Sequence, residues 1–308
     1  MLHHREKSAE GKFLRQEDQF RSWVANDSSS RFPVASGRYY LYVSLACPWA
    51  HRTIIVRKLK KLEDVIGMTV VDPIRDERGW AFTNQKDPIN GFEYLGQAYV
   101  TTDSSYEARV TVPVLWDSKT SQIVSNCDDD IMRMLNSTFD DFTDSSLDLY
   151  PVELRSEIDK INDLIYPNVN DGVYRSGFAT TQHSYEIAVH KLFETLDFLE
   201  SKLSEHRYLV GNRLTEADWR LFPTLIRFDA VYHGHFKCNL KRIIDYPNLY
   251  GYMCDLYYHD NVAETVDFDH IKRHYYMTHP EVNPTRIVPV GPSFEFDALH
   301  NRERLSNK

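Results

Sequence analysis

Cys47 is the residue whose surroundings suit chemistry best. It stands between the apolar run Val43–Ala46 and Pro48, after which the chain turns helical and basic, "PWAHRTIIVRKLKKL". Only a thiolate is a good nucleophile, and an unperturbed thiol, with a pKa of about 8.5, is only a few per cent ionised at neutral pH. At a helix N-terminus a thiol faces unpaired N–H groups and the positive end of the helix dipole, where cysteine pKa values fall to about 3.5–7.5. Pro48 suits such a first turn, because its missing N–H has no intrahelical partner to lose. The same spacing also fits an inert cysteine that closes a strand, and the local pattern leaves both readings open. Position 50 is Ala, so no second cysteine follows at the CxxC spacing. If Cys47 reacts, an outside thiol must release it from a mixed disulfide.

Other polar groupings read more plainly. His270 and His274 stand four apart, as two metal ligands on one helix face would, but no third ligand accompanies them; they and the pair His233 and His235 read as ordinary hydrogen-bonded histidines. Asp128, Asp129 and Asp130 read as a solvated helix start, and Arg52, Arg57, Lys58, Lys60 and Lys61 as a solvated helix face. Cys238 and Cys254 read as core. No metal is expected.

The elements that must position Cys47 follow from the pattern of the chain. "RYYLYVSLA" (38–46) predicts a buried strand. From Pro48 a helix follows, with Ile54, Ile55, Leu59 and Leu62 on one face. "IGMTVVDP" predicts a second strand, residues 74–108 a long loop or insertion, "RVTVPVLWD" (109–117) a strand with Pro113 inside it, "SQIVSN" another strand, and "CDDDIMRMLN" a helix. That order fits a thioredoxin-like domain. Beyond about residue 150 the signals are helical: "YEIAVHKLFETLDFLESKL" places Ile187, Leu192, Leu196, Leu199 and Leu203 on one stripe, and Thr215 with Asp218 forms a capping box. The expected limits are an N-terminal surface arm at 1–36, the thioredoxin-like domain at 37–140, an all-helical domain at 150–296 and a frayed polar tail at 297–308.

The chain has 308 residues, 42% of them apolar, which suits two domains with sizeable cores. Its net charge of −9 argues against general binding of nucleic acid or of an anionic membrane. The start lacks an apolar signal segment, and no run of about 20 apolar residues is present, so the sequence reads as cytoplasmic with reduced cysteines. Tyrosine is abundant, with 19 residues, some available to line a pocket for an aromatic ligand.

The ordered series "CPWAHR", Gly79–Trp80, "RVTVPVLWD", "NDGVYRSGFATTQ", "LTEADWRLFPTLIRFD", "YPNLYGYMCDLY" and "FDHIKRHYYMTHPEVNPTRIVPVGP" resembles the glutathionyl-hydroquinone reductases, the xi class of glutathione transferases, related to the omega class. The resemblance spans roughly residues 30–295 and rests on the series rather than on any single motif. It implies a thioredoxin-like N-terminal domain, a helical C-terminal domain, a homodimer, glutathione as co-substrate and glutathionylated aromatic molecules as substrates. It implies that Cys47 is the catalytic cysteine, that Trp80 and Arg109 contact glutathione, that the Val112 backbone pairs with the tripeptide, and that Pro113 is a cis-proline. Tyr174 and the pair Tyr275–Tyr276 correspond to tyrosines of the aromatic pocket, with Tyr276 favoured. One departure stands out. Where the family usually has Glu-Ser holding the γ-glutamyl end, this chain has Cys127 and Asp128. Two alternatives stay open: an omega-like thioltransferase or dehydroascorbate reductase, and a non-catalytic binder of glutathione or aromatic ligands.

Overall fold

A computed structural model describes residues 8, 10–83, 86–143, 146–293, 296 and 300–306. The chain divides into two compact units. One is built from Gln16–Asp148 with Thr265–His274, the other from residues 10–15, Leu149–Glu264 and the chain from Tyr275 onward. The first takes in the 265–274 segment, which the expected limits assign to the helical domain. Among the described residues no helix is long and apolar enough to cross a membrane.

The first unit runs β1 (Tyr39–Val43), α1 (Pro48–Leu59), β2 (Gly67–Val70), α2 (Gly96–Thr102), β3 (Val114–Asp117), β4 (Gln122–Ser125) and α3 (Asp128–Ser137). The sheet order is β2-β1-β3-β4, with β1 parallel to β2 and antiparallel to β3, and β3 antiparallel to β4. This is the thioredoxin-like arrangement. The central strands are apolar along nearly their whole length because both their faces are covered. Gly67 lies opposite Tyr40 in the register, and a Cβ there would fall 2.2 Å from the tyrosine ring.

Several expectations need correction. The 74–108 stretch contains α2. The strand expected over 109–117 begins only at Val114, because Pro113 cannot donate to a ladder. Helix α1 is not a solvated amphipathic helix: ten of its 12 residues are buried, Arg52 among them. Lys60, just beyond it, is 1% exposed and bonds Asp140 at 2.8 Å and the Leu147 carbonyl at 2.9 Å. Nor is the segment before β1 a mere surface arm. Phe13, Val24 and Phe32 are buried, and residues 20–22 run along β4, where the Ser22 N–H donates to the Val124 carbonyl at 3.0 Å.

The second unit holds α4 (Arg155–Ile165), α5 (Gly172–Gly177), α6 (Gln182–Glu205), α7 (Glu216–Arg227) and α8 (Pro247–Tyr258), with π-helical turns at Tyr166–Asn170 and Phe228–Tyr232. Helix α9 (Phe268–Thr278) contributes its residues from Tyr275 to this unit. In α6 the stripe consists of Leu192, Leu196, Leu199 and Leu203, all fully buried, extended by Ala188 and Val189. Ile187 is 49% exposed, because five residues before Leu192 falls about 140° around a 3.6-residue helix. The Asp218 carboxylate accepts from the Thr215 N–H at 2.8 Å, as the capping pair requires. The tail expected to fray is packed where it is described. Arg302, 2% exposed, donates to the carbonyls of Leu203, His206 and Arg207 at 2.7, 2.7 and 2.8 Å, and so caps the end of α6. Residues 297–299 and 307–308 of that tail, and 1–7 and 9 of the N-terminal segment, lie outside the described residues.

Candidate active site

Strand β1 ends at Val43, and the turn through Ser44, Leu45 and Ala46 delivers Cys47 to the N-cap of α1 with extended backbone, φ −77° and ψ 123°. Its N–H donates to the Ser44 carbonyl at 3.1 Å, and its carbonyl accepts from the His51 N–H at 3.0 Å. Pro48 occupies the first helical position. The thiol is half-buried and donates to the Val112 carbonyl at 3.6 Å. The other three thiols are buried. Burial pushes those of Cys127 and Cys238 up to about 12, so both stay protonated and unreactive at neutral pH.

The residues expected around glutathione all lie in this first unit. The Val112–Pro113 bond is cis. Trp80 is 5% exposed; its indole stacks on the imidazole of His274, and the Arg75 guanidinium lies 5.7 Å from its ring centroid. Gln16 clasps the backbone of Arg109, accepting its N–H at 2.9 Å and donating to its carbonyl at 3.3 Å. Cys127 and Asp128 are the N-cap and first residue of α3. The acids there are not a solvated helix start: Asp128 and Asp130 are buried, because each meets an arginine from another segment. Arg52 donates to Asp128 at 2.7 Å, and Arg21 to Asp130 at 2.7 Å. A ligand ammonium at Asp128 would share that carboxylate with Arg52.

The tyrosines lie in the second unit. The Tyr174 and Tyr275 hydroxyls are hydrogen-bonded, and Tyr275 also meets the Tyr232 hydroxyl at 2.9 Å. Burial holds Tyr275 protonated well above the usual tyrosine range. It is 1% exposed, whereas Tyr276 is half-buried and donates to the Ala230 carbonyl at 3.2 Å. Of the adjacent pair, Tyr276 is the more open.

Sequence reasoning passed over Tyr232, Gln16 and the buried role of Arg52; nothing in their local spacing marks them. It also read His270 as hydrogen-bonded, but its Nδ1 has no hydrogen-bond partner among the described residues. Among those residues no group of His, Cys, Asp or Glu is placed to share a metal ion.

The least buried of the four thiols heads the first helix of a thioredoxin-like unit. Comparison with known proteins gives the family. The glutathione S-transferase N-terminal domain matches residues 46–138, and the glutathione S-transferase C-terminal domain matches residues 182–253. PcpF of Sphingobium chlorophenolicum, named a glutathionyl-hydroquinone reductase, is 52% identical over 93% of this chain and 92% of its own length. YqjG of Escherichia coli, which carries the same name, is 49% identical over 96% and 94%. Its glutathione-bound structure superposes with a TM-score of 0.89, covering 92% of this chain and 96% of that one. A xi-class transferase from Natrialba magadii gives 0.91 at 50% identity, covering 93% and 89%. The chain belongs to the glutathione transferase family, in its xi class.

Proposed function

We propose that the protein reduces S-glutathionyl-hydroquinones to hydroquinones, with glutathione as co-substrate. The observation that carries this reading is the near-full-length identity of 52% and 49% to two proteins named for that activity. The Cys47 thiolate attacks the conjugate's sulfur. The sulfur–carbon bond breaks, and the ring carbon takes the electron pair and a proton to give free hydroquinone. A carbon leaving group is ordinarily poor, but a ring hydroxyl lets the ring react as its keto tautomer, so that the departing charge becomes enolate-like. A tyrosine hydroxyl is a suitable donor to that oxygen. Cys47 is left joined to glutathione through a disulfide. A second glutathione thiolate then releases it as oxidised glutathione, restoring the Cys47 thiolate. The absence of cysteine at position 50 accords with an external resolving thiol.

Trp80, Arg109, the Val112 backbone, Pro113 and the Cys127–Asp128 corner are the glutathione contacts in this reading. Tyr174 and Tyr276 serve the aromatic half, with Tyr275 hydrogen-bonded to the Tyr174 hydroxyl. Tyr174→Phe and Tyr276→Phe are expected to slow hydroquinone release by at least about tenfold while changing glutathione affinity less than about twofold. Equal losses in both would assign these tyrosines to folding instead. The reading also carries a cytoplasmic homodimer, which sedimentation in solution tests. The deciding assay incubates the protein with glutathionyl-hydroquinone and glutathione and quantifies both products. Equal amounts of hydroquinone and oxidised glutathione are expected. Turnover of small mixed disulfides or dehydroascorbate without hydroquinone would indicate an omega-like thioltransferase, and binding without turnover a non-catalytic binder.

A further inference from the structure

The Trp80 indole has a partner from far along the chain. The His274 imidazole lies nearly parallel to it, with ring centroids 5.0 Å apart at 21°. His274 is itself held: it is 8% exposed, and its Nδ1 lies 2.7 Å from the Pro73 carbonyl oxygen. A carbonyl only accepts, so Nδ1 carries the hydrogen and donates it. Pro73 and Trp80 flank a loop closed at its base by the Asp72 N–H donating to the Ala81 carbonyl at 2.9 Å. The imidazole thus anchors to one side of this loop and packs its ring on the other. His274 belongs to the 265–274 segment, whose other end is also tied down, by Thr265 Oγ1 against His51 Nε2 at 2.7 Å. His51 lies one turn beyond Cys47 in α1, and its N–H donates to the Cys47 carbonyl. The segment therefore braces two places at once, the helix that presents the thiol and the indole of Trp80.

We propose that His274 is a positioning residue for glutathione: it stacks on Trp80 and holds the indole in the orientation that receives the tripeptide. The proposal rests on the reading of Trp80 as a glutathione contact. A parallel aromatic stack adds to burial in setting the plane of the indole. The imidazole ring does this, and the Pro73 bond sets its plane.

The test is a double-mutant cycle on the full chain, with glutathione binding measured by calorimetry and reductase kinetics alongside. His274→Ala is expected to weaken glutathione about three- to tenfold, the range for losing one aromatic pair. It should raise KM for glutathione and leave kcat within about twofold. In a Trp80→Ala background it should have no further effect. His274→Phe keeps a ring without the donor and should recover most of the affinity; His274→Asn keeps a donor without the ring and should not. The proposal is overturned if His274→Ala binds glutathione as wild type does, if its effect adds to that of Trp80→Ala, or if Asn recovers affinity and Phe does not. Should His274→Ala fail to fold, the contrast between Phe and Asn still decides. If Trp80→Ala alone leaves binding unchanged, the assignment of Trp80 as a contact fails first and the proposal falls with it, a result visible in that single variant.

Discussion

At the head of α3 the Asp128 carboxylate meets the Arg52 guanidinium at 2.7 Å, with side-chain exposures of 11% and 1%. Removing one partner of such a pair strands the other charge away from water, which costs about 3–5 kcal/mol. Asp129, 3.7 Å from the same guanidinium, takes up part of that loss. Asp128→Ala is therefore expected to lower unfolding stability by about 2–4 kcal/mol in denaturant titration. Lost glutathione affinity with unchanged stability would instead make Asp128 a dedicated ligand for the γ-glutamyl ammonium. His235 supplies a pH-dependent counterpart. Burial, with a smaller contribution from Lys237, pushes its imidazole down to about 4. The unfolded chain takes up this proton near pH 6.5 and the folded chain only near 4, so the contribution is complete above about pH 6.5 and is lost as the pH falls toward 4. At pH 5 the loss is on the order of 2 kcal/mol. Melting temperatures between pH 7.5 and 5 should fall less steeply for His235→Phe than for wild type; equal slopes would contradict the assignment. Cys47 was legible because its setting is local: a strand end, a proline and a helix start. Arg52 was not, since a charged residue reads as solvated until its partner is known, and that partner lies 76 residues away.

Among the elements, those with a strong periodic signal were legible. β1, α1, β2, β4 and α3 follow from alternation, apolar runs and helix-start residues close in sequence. α2 did not, because seven residues with no acid in the first turn and no base in the last carry little helical signal of their own. The C-terminal end of α6 was equally hidden, since its cap comes from Arg302, 99 residues beyond Leu203. That guanidinium satisfies three carbonyls that the helix end leaves open, so Arg302→Ala should cost about 2–3 kcal/mol in thermal or chemical unfolding. Arg304→Ala, two residues on and exposed, should change stability by under about 0.5 kcal/mol. Similar losses in the two variants would deny the cap.

For the molecule as a whole, the order of strands and helices pointed to a thioredoxin-like unit followed by a helical one, and the ordered motifs pointed to the family. Composition bounded the rest: an acidic chain of 308 residues argued against nucleic acid and an anionic membrane, and its many tyrosines allowed a pocket for an aromatic ligand. Long-range pairing was what the sequence withheld, as His274 on Trp80 and the three tyrosine hydroxyls illustrate. The central claim is that Cys47 takes the glutathionyl sulfur from the aromatic ring. A single-turnover experiment tests it most directly: the reduced protein is mixed with one equivalent of glutathionyl-hydroquinone and no free glutathione. The account predicts one equivalent of hydroquinone, one glutathione joined by a disulfide to Cys47 in the peptide map, and neither product from a folded Cys47→Ser variant. Hydroquinone released at the same rate by Cys47→Ser, or glutathione recovered on another residue, would contradict it.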